Sequence, residues 1–243
     1  MSPAAEPRHL RRALIIWAVL SVIGVIAAII LTPRLMPIAA SDAAAFDTLS
    51  VVVFTAAAVP VALFVWVFLG YSLVVFRSRT RPQTDAPRIL APGLAQIGWV
   101  VATSALCLFL VVWGLVGVYE QAAAAPNTLI VEVTGRQWAW TFAYPQYKLK
   151  IAALELPVNR PVEFRVTSVD VLHGFAIQDL GVRVDANPGE QVTSPTVTPT
   201  RTGTYDVRCI ELCGLYHSLM FTSVHVVPDA DFTAWILQHG GHP

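Results

Sequence analysis

The chain has 243 residues, of which 55% are hydrophobic and 13% charged, and its mean hydropathy is +0.60. Soluble globular domains carry about 25% charged residues, so this composition excludes an ordinary soluble protein and indicates membrane spans. The 16 basic and 16 acidic side chains cancel, and this balance gives no indication of nucleic acid as a partner.

Three apolar segments near the N-terminus are each about as long as the roughly 20 residues that cross a bilayer. They are residues 13–31, 51–76 and 94–119, and none contains Asp, Glu, Lys or Arg. The basic residues beside them are Arg8, Arg11, Arg12, Arg77, Arg79, Arg81 and Arg88. Because basic residues favour the cytoplasmic side, we expect everything after Tyr119 to lie outside the cytoplasm.

The first apolar segment has a second interpretation as a secretory signal, because it follows an Arg-rich start and precedes the small residues 43–45. Its apolar run is longer than a typical signal core, which favours a retained helix. Cleavage would leave two spans and the same orientation for the rest. We therefore predict a membrane region over residues 1–121, with either two or three helices.

The sequence of residues 127–243 predicts a second domain made mainly of β-strands. Short runs rich in β-branched and aromatic residues are separated by Pro, Gly and Asn, which is typical of a β-sandwich or barrel. The predicted strands are 129–134, 138–142, 162–167, 203–208 and 221–227. A short helix over 232–238 is expected to close the domain after Pro228.

Two of the three cysteines lie in one stretch, CIELCGLYHSLM, which begins at Cys209 and ends at Met220. A disulfide is the default for neighbouring cysteines outside the cytoplasm. However, the two cysteines belong to the pattern Cys-x3-Cys-x3-His-x2-Met, which also contains His217 and Met220. A disulfide would not require either of these two residues. Thiolate, imidazole and thioether are the ligands of protein copper sites, and two cysteines suggest two bridged coppers. We expect the further nitrogen ligand to be His173, on a loop that follows a strand.

Five segments together resemble subunit II of haem-copper cytochrome c oxidases, which has a binuclear copper A centre. They are GRQWAW at 135–140, DVLH at 170–173, LGVRVD at 180–185, NPG at 187–189 and the cysteine stretch at 209–220. The resemblance implies that the outer domain is a cupredoxin-like Greek-key β-sandwich or barrel anchored by the N-terminal helices.

The resemblance also implies roles for individual residues. Cys209 and Cys213 would bridge two copper ions, with His173 and His217 as terminal nitrogen ligands. Met220 and the backbone carbonyl of Glu211 would be weak axial ligands. The Glu211 side chain would help to bind magnesium or manganese at the contact with subunit I.

The same resemblance assigns electron uptake to Trp138, whereas Trp140 suits the core of the sandwich. The partners implied are subunit I, other oxidase subunits and cytochrome c as the donor. Lys148 and Lys150 stand where many relatives have acidic residues, so a blue copper protein is a second donor candidate. An acidic patch would be formed by Asp170, Asp179, Asp185 and Glu190. The implied location is the plasma membrane of a prokaryote, with the copper domain on the periplasmic side.

Two other functions fit parts of the sequence. A nitric oxide reductase could use the same copper A domain, with a different reaction in its partner subunit. A membrane-anchored copper carrier would bind one exchangeable ion through exposed ligands, often rich in Met or His. This chain has only three Met and one compact cluster of ligands, which favours the oxidase subunit over a carrier.

Overall fold

The computed structural model describes residues 6–77, 93–122 and 125–242. Within these residues the chain begins with three long helices, α1 (Glu6–Leu35), α2 (Asp42–Val75) and α3 (Gly93–Ala122). Each is long and apolar enough to cross a membrane, by length and composition. The helices coincide with the three predicted spans, apart from Phe76, which follows the end of α2. Of the arginines used to orient the chain, Arg79, Arg81 and Arg88 lie outside the described residues.

One compact unit comprises Met1–Met36 and Leu49–Leu115. In it, the indole N–H of Trp17 donates a 2.8 Å hydrogen bond to the backbone carbonyl of Pro60 in α2. Gly24 lets α1 approach α2 closely, because a Cβ at this position would lie 2.7 Å from Val59. In an apolar environment an indole N–H needs such an acceptor, so this contact stabilises the pairing of α1 with α2.

The second compact unit comprises Pro37–Thr48 and Val116–Pro243 and contains a β-sandwich. Its strands are β1 (Leu129–Arg136), β2 (Ala139–Tyr144), β3 (Leu149–Ile151), β4 (Leu154–Pro157), β5 (Val162–Ser168), β6 (His173–Ile177), β7 (Val182–Ala186), β8 (Val192–Thr193), β9 (Gly203–Cys209) and β10 (Phe221–Val227). Within the described residues they form two five-stranded sheets, in the orders β3-β2-β1-β5-β8 and β4-β10-β9-β6-β7. Helix α4 (Asp229–Gln238) follows the last strand.

The core of the sandwich forms from the alternating inward faces of the two sheets. Residues at alternate positions of β1 and β5 are buried, as expected for strands with one face in a core. An aromatic cluster lies between the sheets, in which the ring of Phe175 packs against those of Trp140, Phe142 and Phe164. These contacts fix β6, and therefore its first residue, at one end of the sandwich.

The segment between α1 and α2 also packs on the sandwich. Ala40 is fully buried, its N–H donates to the carbonyl of Asp179, and its carbonyl accepts from the N–H of Thr200. The hydroxyl of Ser41 donates to the carbonyl of Leu180 at 2.8 Å. Gly181 has φ +68°, and a Cβ there would lie 2.8 Å from the backbone nitrogen of Ala44. A glycine is therefore needed where this segment meets the sandwich.

Several element boundaries differ from those predicted. His173 was expected on a loop, but it is the first residue of β6, which is buried along its whole length and so lacks the alternation that marks a strand. Trp138 was expected within a strand, but β2 begins one residue later, at Ala139. Helix α4 begins at Asp229 rather than at Phe232, directly after Pro228.

Candidate metal centre

The candidate metal centre forms where β6 and β9 lie side by side. Phe175 pairs with Cys209 in the antiparallel ladder between these strands, which brings the start of β6 next to the end of β9. Residues 209–220, here called the ligand loop, then turn back to β10. The N–H of Cys209 donates to the carbonyl of Met220 at 3.0 Å, which closes the loop at its base. The strand pairing thus brings His173 to the loop despite its distance in sequence.

The sulfur atoms of the ligand loop lie together. The Sγ atoms of Cys209 and Cys213 are 3.7 Å apart, and within the described part of the chain both thiols are free. Cys213 Sγ is also 3.7 Å from the Sδ of Met220 and 3.5 Å from the Nδ1 of His217. Cys213 is therefore the residue whose sulfur lies close to the largest number of other potential ligands.

Two further potential ligands face the other thiol. The Nδ1 of His173 lies 3.9 Å from Cys209 Sγ, and the backbone carbonyl of Glu211 lies 3.2 Å from the same atom. Among the described residues, His173, Cys209 and Cys213 are the one group of His, Cys, Asp or Glu whose ligand atoms all lie within 4.8 Å of one another. The arrangement can hold a metal ion.

Most residues of this cluster are buried. His173, Cys209, Cys213 and Met220 are at most 8% exposed, whereas His217 is half-buried. Burial, together with the hydrogen bond and charge of Cys209, raises the pKa of Cys213 to about 11. Two adjacent buried thiolates would repel each other, and a cation between them removes this cost. The donor set of thiol, imidazole and thioether suits copper.

Asp170 orients the imidazole of His173. Its Oδ1 lies 2.9 Å from the Nε2 of His173, so the Nδ1 is left to face Cys209. Burial alone would raise the pKa of Asp170, but hydrogen bonds from the backbone of Gln137 and from His173, Val171 and Ser168 lower it to about 2. A carboxylate that holds the second nitrogen of a histidine is a common support for a metal ligand.

The two tryptophans take different positions beside the centre. Trp140 is 4% exposed and its ring packs edge-on against those of His173 and Phe175. Trp138 is half-buried in the turn between β1 and β2, and its ring centroid lies 4.7 Å from that of Tyr216. A Cβ on Gly214 would lie 3.5 Å from the Trp138 indole. Trp138 therefore contacts the ligand loop and also reaches the surface.

Exposed apolar side chains are concentrated around the centre. Between residues 125 and 242, all the exposed large apolar side chains except Leu237 lie on the ligand loop, on the β5–β6 connection or at the start of β10. They are Val169, Leu172, Leu212, Leu215, Tyr216, Leu219 and Phe221. Such a concentration of exposed apolar side chains marks an interaction surface.

The acidic residues expected to form a patch differ in their environment. The side chain of Asp170 is 31% exposed and is bound to His173 and Gln137. A carboxylate oxygen of Asp179 accepts the N–H of Ile38, and Glu190 pairs with the side chain of Asn187. Asp185 is exposed on β7. Sequence analysis did not predict the contact between Asp170 and His173, or any role for Gln137 and Gly214.

Residues 149–227 match the family model described as "Cytochrome C oxidase subunit II, periplasmic domain". A cytochrome c oxidase subunit 2 of Thermostichus vulcanus is 39% identical over 115 residues, which cover 47% of this chain and 34% of that protein. A probable cytochrome c oxidase subunit 2 of Rickettsia prowazekii (strain Madrid E) is 30% identical over 200 residues, which cover 72% of this chain and 62% of that protein. The chain thus spans less than two thirds of the length of these two relatives.

Among solved structures, the periplasmic domain of subunit II of cytochrome oxidase from Bradyrhizobium japonicum is 30% identical, with a TM-score of 0.46. The similarity covers 49% of this chain and 96% of that one. The resemblance to cytochrome c oxidase subunit II inferred from the motifs is confirmed by the family match and the curated relatives. The predicted fold, helices followed by a cupredoxin-like sandwich, is confirmed as well.

Proposed function

We propose that this chain is the electron-accepting subunit of a terminal haem-copper oxidase, because its residues 149–227 match the family model of the periplasmic domain of cytochrome c oxidase subunit II. It takes electrons from cytochrome c, or from a similar soluble donor such as a blue copper protein. It passes them to haem in subunit I, where oxygen is reduced to water. The observation that carries the proposal is the pair of free thiols, 3.7 Å apart and surrounded by imidazole and thioether.

In this proposal the ligand loop and His173 hold a binuclear copper A centre. Cys209 and Cys213 would hold the two ions through their sulfur atoms, and His173 and His217 would each bind through Nδ1. Met220 and the Glu211 carbonyl would be weaker ligands. When bound, the copper pair supplies one-electron exchange. The chain's own contribution is to hold the donors at one end of the sandwich and to bury four of the six residues that supply them, which limits the rearrangement that accompanies electron transfer.

We propose that electrons enter from the surface through Tyr216 and Trp138. The Tyr216 ring packs on Trp138, and Trp138 lies against Gly214, which directly follows Cys213. We assign electron uptake to Trp138 on this basis, with Trp140 as a core residue next to His173. The Glu211 side chain is exposed and so is free to bind magnesium or manganese at the contact with subunit I.

The membrane helices and the basic residues at their ends support a multi-pass membrane protein with the sandwich outside the cytoplasm. The membrane we propose is the plasma membrane of a prokaryote, with the sandwich on its periplasmic side. The burial of four ligand residues favours a resident centre over a copper carrier. A carrier needs ligands that a partner can reach and remove, and His173 is fully buried.

Electron paramagnetic resonance of the copper-loaded, full-length protein tests the proposal directly. We expect two coppers per chain by metal analysis and a seven-line hyperfine pattern, because one electron is shared equally by two copper nuclei. A four-line pattern, or one loosely held copper per chain, would contradict a binuclear centre and would leave the carrier as the better explanation.

The concentration of exposed apolar side chains around the centre predicts how the donor docks. Replacing the 81% exposed Leu215 with aspartate should slow association with a soluble c-type cytochrome at least about fivefold, the loss expected for a residue central to an interface. Raising the salt concentration from about 20 to about 200 mM should change the wild-type rate by less than about threefold, because screening weakens only charged contacts. Stopped-flow reduction of the copper centre measures both.

The matched control for this prediction is Leu237→Asp, which adds the same charge at a 55% exposed leucine on α4. It should leave the association rate unchanged. A wild-type rate that falls steeply with salt would instead indicate that acidic residues such as Asp185 attract the donor.

A further inference from the structure

Gln137 connects three segments of the chain at the metal centre. It lies in the turn between β1 and β2, and its backbone N–H donates to Oδ2 of Asp170 at 2.7 Å. Its side-chain amide donates to the backbone carbonyl of Cys213, also at 2.7 Å. Since Asp170 also binds His173, one residue links the support of a predicted histidine ligand to the backbone of a predicted cysteine ligand.

Gly214 makes this contact possible. Its φ is +118°, and a Cβ there would lie 2.9 Å from the amide nitrogen of Gln137. Any other residue would therefore push the amide away from the Cys213 carbonyl. The hydrogen bond fixes the peptide group between Cys213 and Gly214, and so the direction in which the Cys213 side chain leaves the backbone.

The position of Cys213 matters more than that of its neighbours because its sulfur faces three other potential ligands, Cys209, His217 and Met220. Leu212 and Leu215 on either side of it are more than 80% exposed. Other contacts hold the base of the loop, where the N–H of Ile210 donates to the carbonyl of Gly174, and its far side, where Tyr216 packs on Trp138. A hydrogen bond to the Cys213 carbonyl is thus a direct restraint on the outer half of the ligand loop.

We infer that Gln137 is a positioning residue that clamps the ligand loop through the Cys213 carbonyl and keeps the copper ligands in place; the inference rests on the proposed function. It predicts a role in copper retention. A residue that only faced an electron donor would change the rate of docking and leave copper retention unaltered.

The test uses Gln137→Ala and Gln137→Glu in the full-length protein. The first removes the side-chain amide. The second keeps the size of the side chain but replaces the amide N–H with a carboxylate oxygen, which cannot donate to the Cys213 carbonyl. In both, copper loss to a chelator should be about 10- to 100-fold faster, as is typical when a support of a metal ligand is removed. The hyperfine pattern should also change. In the metal-free protein, chymotrypsin cleavage after Leu215 or Tyr216 should be about fivefold faster, the effect of losing one hydrogen bond.

Gln146→Glu is the matched control, because the exposed amide of Gln146 donates to the carbonyl of Thr128 in the same way. It should keep the wild-type values in every assay. The inference about Gln137 is wrong if, in both Gln137→Ala and Gln137→Glu, copper is lost at the wild-type rate and chymotrypsin cleavage also proceeds at the wild-type rate. A wild-type protein without the two-copper signal would overturn the proposed function instead, while the cleavage assay would still decide whether Gln137 restrains the loop.

Discussion

Replacing Cys213 with serine is expected to abolish the two-copper signal and leave at most one weakly held copper per chain. The Cys213 sulfur is the atom that lies next to Cys209, His217 and Met220 together. A serine hydroxyl is a hard ligand that stays protonated near neutral pH, so it cannot bridge two coppers as a thiolate does. Electron uptake from a soluble donor should fall by more than the roughly 10- to 100-fold that changes outside the ligand shell cause.

Metal analysis, the hyperfine pattern and donor-supported oxygen consumption by the complete oxidase measure this effect. Cys107→Ser is the control, since it makes the same chemical change at an exposed position of α3. It should retain two coppers and full electron uptake. A seven-line pattern that persists in Cys213→Ser would mean that the two cysteines do not form a shared bridge.

The ligand loop could be predicted from sequence because its chemistry is local. Four potential ligand side chains fall within twelve consecutive residues, and a loop of that length brings them to one point whatever the rest of the fold does. His173 is different, because it reaches the loop only through the pairing of β6 with β9. Its proximity to Cys209 was predicted from the family resemblance and from the need for another nitrogen ligand. No periodic pattern indicated it.

The residues that support the ligands could not be predicted in this way. Gln137 contacts the centre through hydrogen bonds to Asp170 and Cys213, which are far from it in sequence. Asp170 is only three residues from His173, but their contact depends on how the turn before β6 folds. Sequence analysis assigned Asp170 to an acidic docking patch, because nothing in the sequence around it indicates that its side chain faces His173. The packing of Ala40 on the sandwich likewise depends on tertiary contacts with Asp179 and Thr200.

Sequence analysis missed the strands β3, β4, β6, β7 and β8. Strand β7 was missed although its buried positions alternate regularly, whereas the other four lack the features that usually mark a strand. Strand β6 is buried at all five positions, so polar and apolar residues do not alternate along it. Strands β3 and β8 have three and two residues, which is too short for any period to appear. Strand β4 ends in Pro157, a residue that usually argues against a strand. The strands predicted correctly, such as β1 and β5, have a regular alternation of buried positions.

The largest effect on stability is expected from Phe175→Ala. The Phe175 side chain is fully buried, and its ring centroid lies 5.3 Å from those of Trp140 and Phe164. Truncation would leave a cavity between the two sheets, because the surrounding aromatic rings are held by their own strands. The free energy of unfolding of the sandwich should fall by about 3–5 kcal/mol. Urea unfolding of the full-length protein, followed by tryptophan fluorescence, measures the change.

Phe221→Ala provides the comparison, because it removes the same ring from a side chain that is 58% exposed. The Phe221 ring contacts the guanidinium of Arg208 at 5.9 Å, an exposed contact worth about 1 kcal/mol at most. If both substitutions cost the same, the aromatic cluster would not be what holds the sheets together. A large difference between them would show that burial of Phe175 stabilises the strand pair that brings His173 to Cys209.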